Sequence, residues 1–144
     1  MKVMICDDEP LARDRLSRML SRIDSVTLVG AASNGRELLD AISLHNPDLV
    51  LTDIRMPTMD GLEAAAHMAT LDEPPAVVFC TAYDEYAIKA FQVNAIGYLL
   101  KPIRQEDLQS VIEKASKINK AQLVSVRKEL GGDEVDEPVS ARQC

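Results

Sequence analysis

Leu49-Val50-Leu51-Thr52-Asp53 is the stretch that decides the fold. Asn46-Pro47 stops whatever precedes it, and a short apolar run then ends on a hydroxyl and an acid. A strand with one wet face alternates apolar and polar residues, whereas an uninterrupted run suits a strand covered on both faces. The same device recurs along the chain. Lys2 to Cys6 runs into Asp7-Asp8-Glu9, and Val26 to Ala31 is a second run. Ala76-Val77-Val78-Phe79-Cys80 leads to Thr81-Ala82, and Ile96 to Leu100 breaks at Lys101-Pro102.

Helical signals fill the gaps. Pro10 suits the first turn of a helix, and Leu11, Leu16, Met19, Leu20 and Ile23 follow at helical spacing. Asn34 with Glu37 resembles a capping box, and Leu38, Leu39, Ala41 and Ile42 continue it. Asp60 can cap a helix holding Leu62, Ala65 and Met68, with Pro74-Pro75 as its stop. Asp84 can cap a helix through Phe91, and Asp107 to about Ile118 is a last amphipathic helix. Five strands alternating with five helices imply an α/β three-layer sandwich around a parallel sheet. In such sheets the site lies beyond the carboxyl ends of the strands.

Composition narrows the function. A chain of 144 residues with 47% apolar and 27% charged residues can bury one core without staples. Aromatic residues make up 3% and Trp is absent, which argues against base stacking. A net charge of -7 argues against binding nucleic acid or anionic membranes through this chain. The apolar runs are too short to span a membrane, and the first is not a signal peptide. Cys6, Cys80 and Cys144 are odd in number and far apart, so free thiols in a reducing compartment are expected, and with them a cytoplasmic location. His45 and His67 have no partner ligand nearby in sequence and are expected at the surface. Residues 120–144, with Gly131-Gly132-Asp133-Glu134 among them, have the polar, acidic character of a linker or tail and are expected to be mostly disordered.

The residues that follow the strands form a chemical set. Asp7 and Asp8 follow the first, Asp53 the third, Thr81 the fourth and Lys101 the fifth. Three carboxylates at one edge repel one another, and a hard divalent cation such as Mg²⁺ relieves that repulsion. A hydroxyl and an ammonium beside them suit the outer oxygens of a phosphoryl group.

These motifs carry a resemblance. Asp7-Asp8-Glu9, Asp53-Ile54-Arg55-Met56-Pro57 with Asp60-Gly61, Thr81-Ala82, and Tyr98-Leu99-Leu100-Lys101-Pro102 together resemble the receiver domain of two-component response regulators, over residues 1–119. The stretch from Thr81 to Tyr98 is similar to the AlgR/LytR group, whose members carry a C-terminal LytTR-type DNA-binding domain. The resemblance implies a doubly wound flavodoxin-like or CheY-like (βα)5 fold with strand order 2-1-3-4-5 and a cis peptide at Lys101-Pro102. It implies that Asp53 accepts the phosphoryl group. Asp8 and Asp53 would bind Mg²⁺ directly and Asp7 through water, with the backbone carbonyl of Arg55 as a further ligand. Lys101 would pair with phosphoryl oxygens, Thr81 would hydrogen-bond to them, and Tyr98 would swing inward with Thr81 as an aromatic switch. Ala82 would leave room for the phosphoryl group. Arg55 and Tyr83 would tune its lifetime or simply face solvent.

The implied partner is a sensor histidine kinase. DNA would be reached only through a C-terminal domain, and the chain ends about where that domain would begin. A homodimer is expected through the face made by the 84–91 helix, the strand at Tyr98 and the last helix, with Tyr86, Ala90, Val93 and Leu108 weighed as patch or core. No ATP-binding Gly loop is present, so the chain is expected to be a switch and not an enzyme. Three other readings compete. A haloacid-dehalogenase-like phosphatase needs a second acid where Arg55 stands. A flavodoxin-like electron carrier needs a hydroxyl- and Gly-rich loop where Asp7-Asp8-Glu9 stands. A receiver-like domain that works by dimerisation without phosphorylation keeps the fold but not the chemistry.

Overall fold

The computed structural model describes residues 1–130, with side chains through residue 119 except at residue 91. The elements alternate as β1 (Lys2–Cys6), α1 (Pro10–Leu20), β2 (Thr27–Ala32), α2 (Gly35–His45), β3 (Leu49–Thr52), α3 (Gly61–Met68), β4 (Ala76–Thr81), a 3-10 turn (Asp84–Tyr86), α4 (Ala87–Gln92), β5 (Gly97–Leu100) and α5 (Gln105–Leu130). The five strands form one sheet in the order β2-β1-β3-β4-β5, every neighbouring pair parallel.

Strand periodicity divides the core in two. Leu49 and Leu51 of β3 face one helical layer with Val3, Ile5, Val78, Leu16, Leu20, Leu108 and Ile112. Val50 faces the other with Met4, Phe79, Leu38, Ile42, Ala64 and Met68. Each strand therefore needs apolar residues at successive positions.

Local chemistry sets the helix ends. Asn34 accepts from the Glu37 N–H at 2.9 Å, and Glu37 reaches back to the Ser33 N–H and hydroxyl at 2.9 and 2.6 Å. The reciprocal bond thus lands one residue before the cap. Asn46 closes α2 in the left-handed region at φ 47°. Asp60 accepts from the Glu63 N–H at 2.8 Å and opens α3.

Several boundaries differ from expectation. α3 ends at Met68, well before Pro74-Pro75, where the Thr70 hydroxyl donates to the His67 carbonyl at 2.7 Å. Asp84 does not cap a helix: it opens the 3-10 turn, and only its backbone carbonyl accepts, from the Ala87 N–H. α1 stops at Leu20, yet Ile23 remains buried through the turn that follows. α5 starts at Gln105 and runs to Leu130, so residues 120–130 of the expected tail are helical. The sequence explains this: neither Gly nor Pro interrupts the chain between Gln105 and Leu130, and Gly131-Gly132 follows. The rest of that expectation, residues 131–144, lies outside the described residues.

His45 and His67 are exposed, and Cys6 and Cys80 are buried free thiols. Burial pushes both thiols up to about 12, with the nearby Asp53 charge adding to the effect at Cys80, so neither is a thiolate at neutral pH. Ala90 and Leu108, weighed as dimer contacts, are core residues at 2% and 0% exposure. Tyr86 and Val93 are half-buried and pack against the same core that holds Ala90. No helix among the described residues is long and apolar enough to cross a membrane.

Candidate functional site

Each site residue sits at or just past the end of a strand, and the sheet itself holds most of them. The Asp7 N–H donates to the Ala32 carbonyl at 3.0 Å, and the Asp53 N–H to the Cys6 carbonyl at 2.9 Å. The Lys101 N–H donates to the Thr81 carbonyl at 2.8 Å. The parallel ladder therefore extends one residue beyond β1, β3 and β5 and fixes these backbones at the carboxyl edge. Asp7, Asp53 and Thr81 are buried, and Asp8 is exposed.

Lys101 joins the two buried acids. Its Nζ lies 2.7 Å from Asp7 Oδ2 and 2.9 Å from Asp53 Oδ2. The other oxygens are also held: Asp7 Oδ1 accepts from the Glu9 N–H at 2.9 Å, and Asp53 Oδ1 from the Ile54 N–H at 2.7 Å. Burial alone would lower the Lys101 pKa, but the hydrogen bonds and charges of Asp7 and Asp53 outweigh it and raise the value above normal. Lys101 is therefore a fixed cation at any physiological pH. The Lys101–Pro102 peptide is cis.

Asp7, Asp8 and Asp53 each present a carboxylate oxygen within 4.8 Å of the others. One ammonium faces three carboxylates, which leaves the cluster with net negative charge. Hard oxygen donors in that number, with one side open at Asp8, suit Mg²⁺ better than a softer metal. The structure thus brings together Asp7, Asp8, Asp53 and Lys101. Thr81 lies at the end of β4, its hydroxyl 3.4 Å from the Tyr83 N–H. Tyr98, on β5, donates its hydroxyl to the Tyr83 carbonyl.

Two glycines shape the loop between β3 and α3. Gly61 N–H donates to the Ile54 carbonyl at 2.7 Å. A Cβ there would lie 2.1 Å from the Asp53 carbonyl oxygen. Gly35 packs against Met59 closely enough that a Cβ would meet its carbonyl oxygen at 2.6 Å. Met56 and Met59 pack against the core, and Met56 Sδ lies 3.5 Å from Cys6 Sγ.

Sequence reasoning missed three contacts. Arg13 Nη1 donates to the Asp7 carbonyl at 2.6 Å, one helical turn into α1. The Arg55 guanidinium stacks over the Tyr83 ring, 4.4 Å from its centroid, although both side chains are exposed. Tyr83 in turn meets the Tyr86 ring edge-on at 6.3 Å. No motif announces the Arg55–Tyr83 stack, because it depends on how two loops approach each other.

Comparison with known proteins agrees with this geometry. The model of the response regulator receiver domain matches residues 3–113. The chain is 50% identical over 145 residues to the positive alginate biosynthesis regulatory protein of Pseudomonas aeruginosa, an alignment covering 99% of this chain and 58% of that protein. It is 46% identical to the sensory transduction protein LytT of Enterococcus faecalis, covering 81% of this chain and 48% of that one. The chain spans about half the length of the curated relatives it matches. Among solved structures, the response regulatory domain of mrkE from Klebsiella pneumoniae superimposes with a TM-score of 0.78 at 30% identity, covering 84% of this chain and 99% of that domain. A doubly wound sheet with three acids and a lysine at its carboxyl edge and the match over residues 3–113 lead to one conclusion: the chain belongs to the receiver domain family of two-component response regulators.

Proposed function

We propose that Asp53 accepts a phosphoryl group from the phosphohistidine of a sensor kinase, and that this switches the output of a longer transcriptional regulator. The observation that carries the proposal is the cluster of Asp7, Asp8 and Asp53 with Lys101 held between the two buried acids. Asp8 and Asp53 would hold Mg²⁺, with Asp7 and the Arg55 carbonyl as further oxygen donors. Bound there, the cation supplies positive charge to the phosphoryl oxygens. A carboxylate oxygen of Asp53 attacks phosphorus and forms an O–P bond as the P–N bond of the donor breaks. The electron pair of that bond goes to the imidazole nitrogen, which takes up a proton. Lys101 and the Thr81 hydroxyl then hold the transferred oxygens, so positioning and charge account for most of the rate.

Filling the site draws Thr81 inward and favours the inward position of Tyr98. That alters the face of α4, β5 and α5, where two copies meet. Ile88 and Leu100 are large apolar residues left exposed there, which supports a dimer face broader than Tyr86 and Val93. Residues 1–119 act as the receiver, and residues 120–144 lead toward a LytTR-type DNA-binding domain. The relatives include a transcriptional regulatory protein LytR of Staphylococcus aureus, in keeping with such an output. The domain takes up one phosphoryl group and does not turn over substrate, and it works in the cytoplasm.

Site mapping tests the assignment. After phosphorylation, reduction of the acyl phosphate with borohydride converts the modified aspartate to homoserine. That change should appear at position 53, and its appearance at position 7 or 8 instead would reject the acceptor.

A further inference from the structure

Tyr83 is the residue at which the pieces of the switch meet. Its N–H faces the Thr81 hydroxyl at 3.4 Å, and its carbonyl accepts the Tyr98 hydroxyl. Its ring lies under the Arg55 guanidinium, 4.4 Å away, and meets the Tyr86 ring at 6.3 Å and 87°. The Lys89 ammonium lies 6.0 Å from the Tyr86 ring, which carries the contacts on to α4. One side chain therefore touches the loop that begins at Asp53 and the turn that leads into α4, while its backbone holds both hydroxyls.

We propose that Tyr83 is a positioning residue, whose ring, held by Arg55 and Tyr86, places the backbone carbonyl that receives Tyr98 and so couples loading at Asp53 to Tyr98 and α4. The proposal rests on the acceptor reading of Asp53 and deepens it. The physical need is plain from burial. Ala82, Tyr83, Asp84 and Glu85 are all exposed, so little packing fixes this loop. A loop carbonyl without packing is a poor target for a hydroxyl, because each contact must offset the entropy of ordering it. The Tyr83 ring supplies the missing packing. Arg55 lies two residues beyond Asp53, so a shift of the site loop is felt first at the ring it covers. The two-state element is Tyr98 itself, with its hydroxyl on Tyr83 or released from it.

An exposed cation–aromatic stack shifts an equilibrium by about two- to fivefold. The test loads the full chain with Mg²⁺ and beryllofluoride, a phosphoryl mimic. Fluorine resonances read occupancy, and carbon-13 ring resonances of Tyr98 read its two positions. Tyr83→Leu should load as the parent does but lower the ratio of bound to released Tyr98 by about two- to fivefold. Tyr83→Phe keeps the ring and the carbonyl and should retain the parent ratio. Adding Arg55→Ala to Tyr83→Leu should change that ratio no further, as expected of two groups acting through one contact. A loaded Tyr83→Leu with the parent ratio, or a Tyr83→Phe that behaves like Tyr83→Leu, overturns the proposal and leaves the acceptor reading intact. A parent chain that takes up no beryllofluoride overturns both.

Discussion

Lys101 is one ammonium set between two buried carboxylates, and its removal leaves Asp7 and Asp53 facing each other unneutralised. Breaking such a pair from one side is costly, because the remaining charges stay buried. Lys101→Met should lose about 1–3 kcal/mol at pH 7 in urea unfolding, discounted from a fully buried pair because the lysine is partly exposed. The pH dependence has a definite sign. The folded-state pKa of Lys101 is raised above the ordinary 10.5, so its contribution is complete below 10.5 and fades as pH rises through the folded value. The deficit of the variant should stay constant between about pH 7 and 9 and shrink only above the normal lysine range. A deficit that fades between those two values would contradict the geometry. Asp8 is a different case: exposed, and in no ion pair among the described residues. Asp8→Asn should leave stability within about 0.5 kcal/mol yet weaken Mg²⁺ binding in isothermal titration about tenfold or more. Asp7, Asp53, Lys101 and Thr81 were legible in the sequence because each stands where an apolar run stops. The stack of Arg55 on Tyr83 was not, since the two are joined only by the path of two loops.

At the scale of the element, caps and close approaches carry the account. Asn34→Ala removes one acceptor from the start of α2 and should cost about 1 kcal/mol in chemical unfolding. Gly61→Ala is harsher, since its Cβ would lie 2.1 Å from the Asp53 carbonyl oxygen, so α3 or the end of β3 must move. It should cost about 1–3 kcal/mol, like other overpacking changes. It should also slow phosphorylation, while Asn34→Ala leaves that rate unchanged. A Gly61→Ala protein with parent stability and parent phosphorylation rate would show that the loop yields freely. Helix starts were legible at Asn34 and Asp60 because a single side chain makes the cap. The end of α3 was not, because the helix stops at Met68 with neither Gly nor Pro beside it to mark the boundary. Nor was the sorting of Ala90 and Leu108 into the core, because helical spacing marks an apolar face without saying what covers it. The extent of α5 was missed for the opposite reason: polarity suggested a tail, while the absence of Gly and Pro favoured a helix.

At the scale of the molecule, the sheet order is what turns separate strand ends into one site. β1 lies between β2 and β3, and β3 between β1 and β4, so Asp7, Asp8 and Asp53 become neighbours although β2 intervenes in sequence. Alternating runs and helices indicated a parallel sheet, whereas the order 2-1-3-4-5 came with the family resemblance, because periodicity alone carries no information about strand neighbours. The proposed dimer face ties loading of the site to association. Sedimentation of the chain with Mg²⁺ and beryllofluoride should show a larger dimer fraction than the unloaded chain, and Ile88→Glu should reduce it. Equal fractions in both states would argue against the α4-β5-α5 face as the output. The most direct measurement is the intact mass of the chain after incubation with Mg²⁺ and acetyl phosphate. The account predicts a gain of one phosphoryl group, about 80 Da for HPO₃, that disappears in Asp53→Asn and without Mg²⁺. The same gain in Asp53→Asn, or no gain in the parent from acetyl phosphate or a histidine kinase, would contradict it.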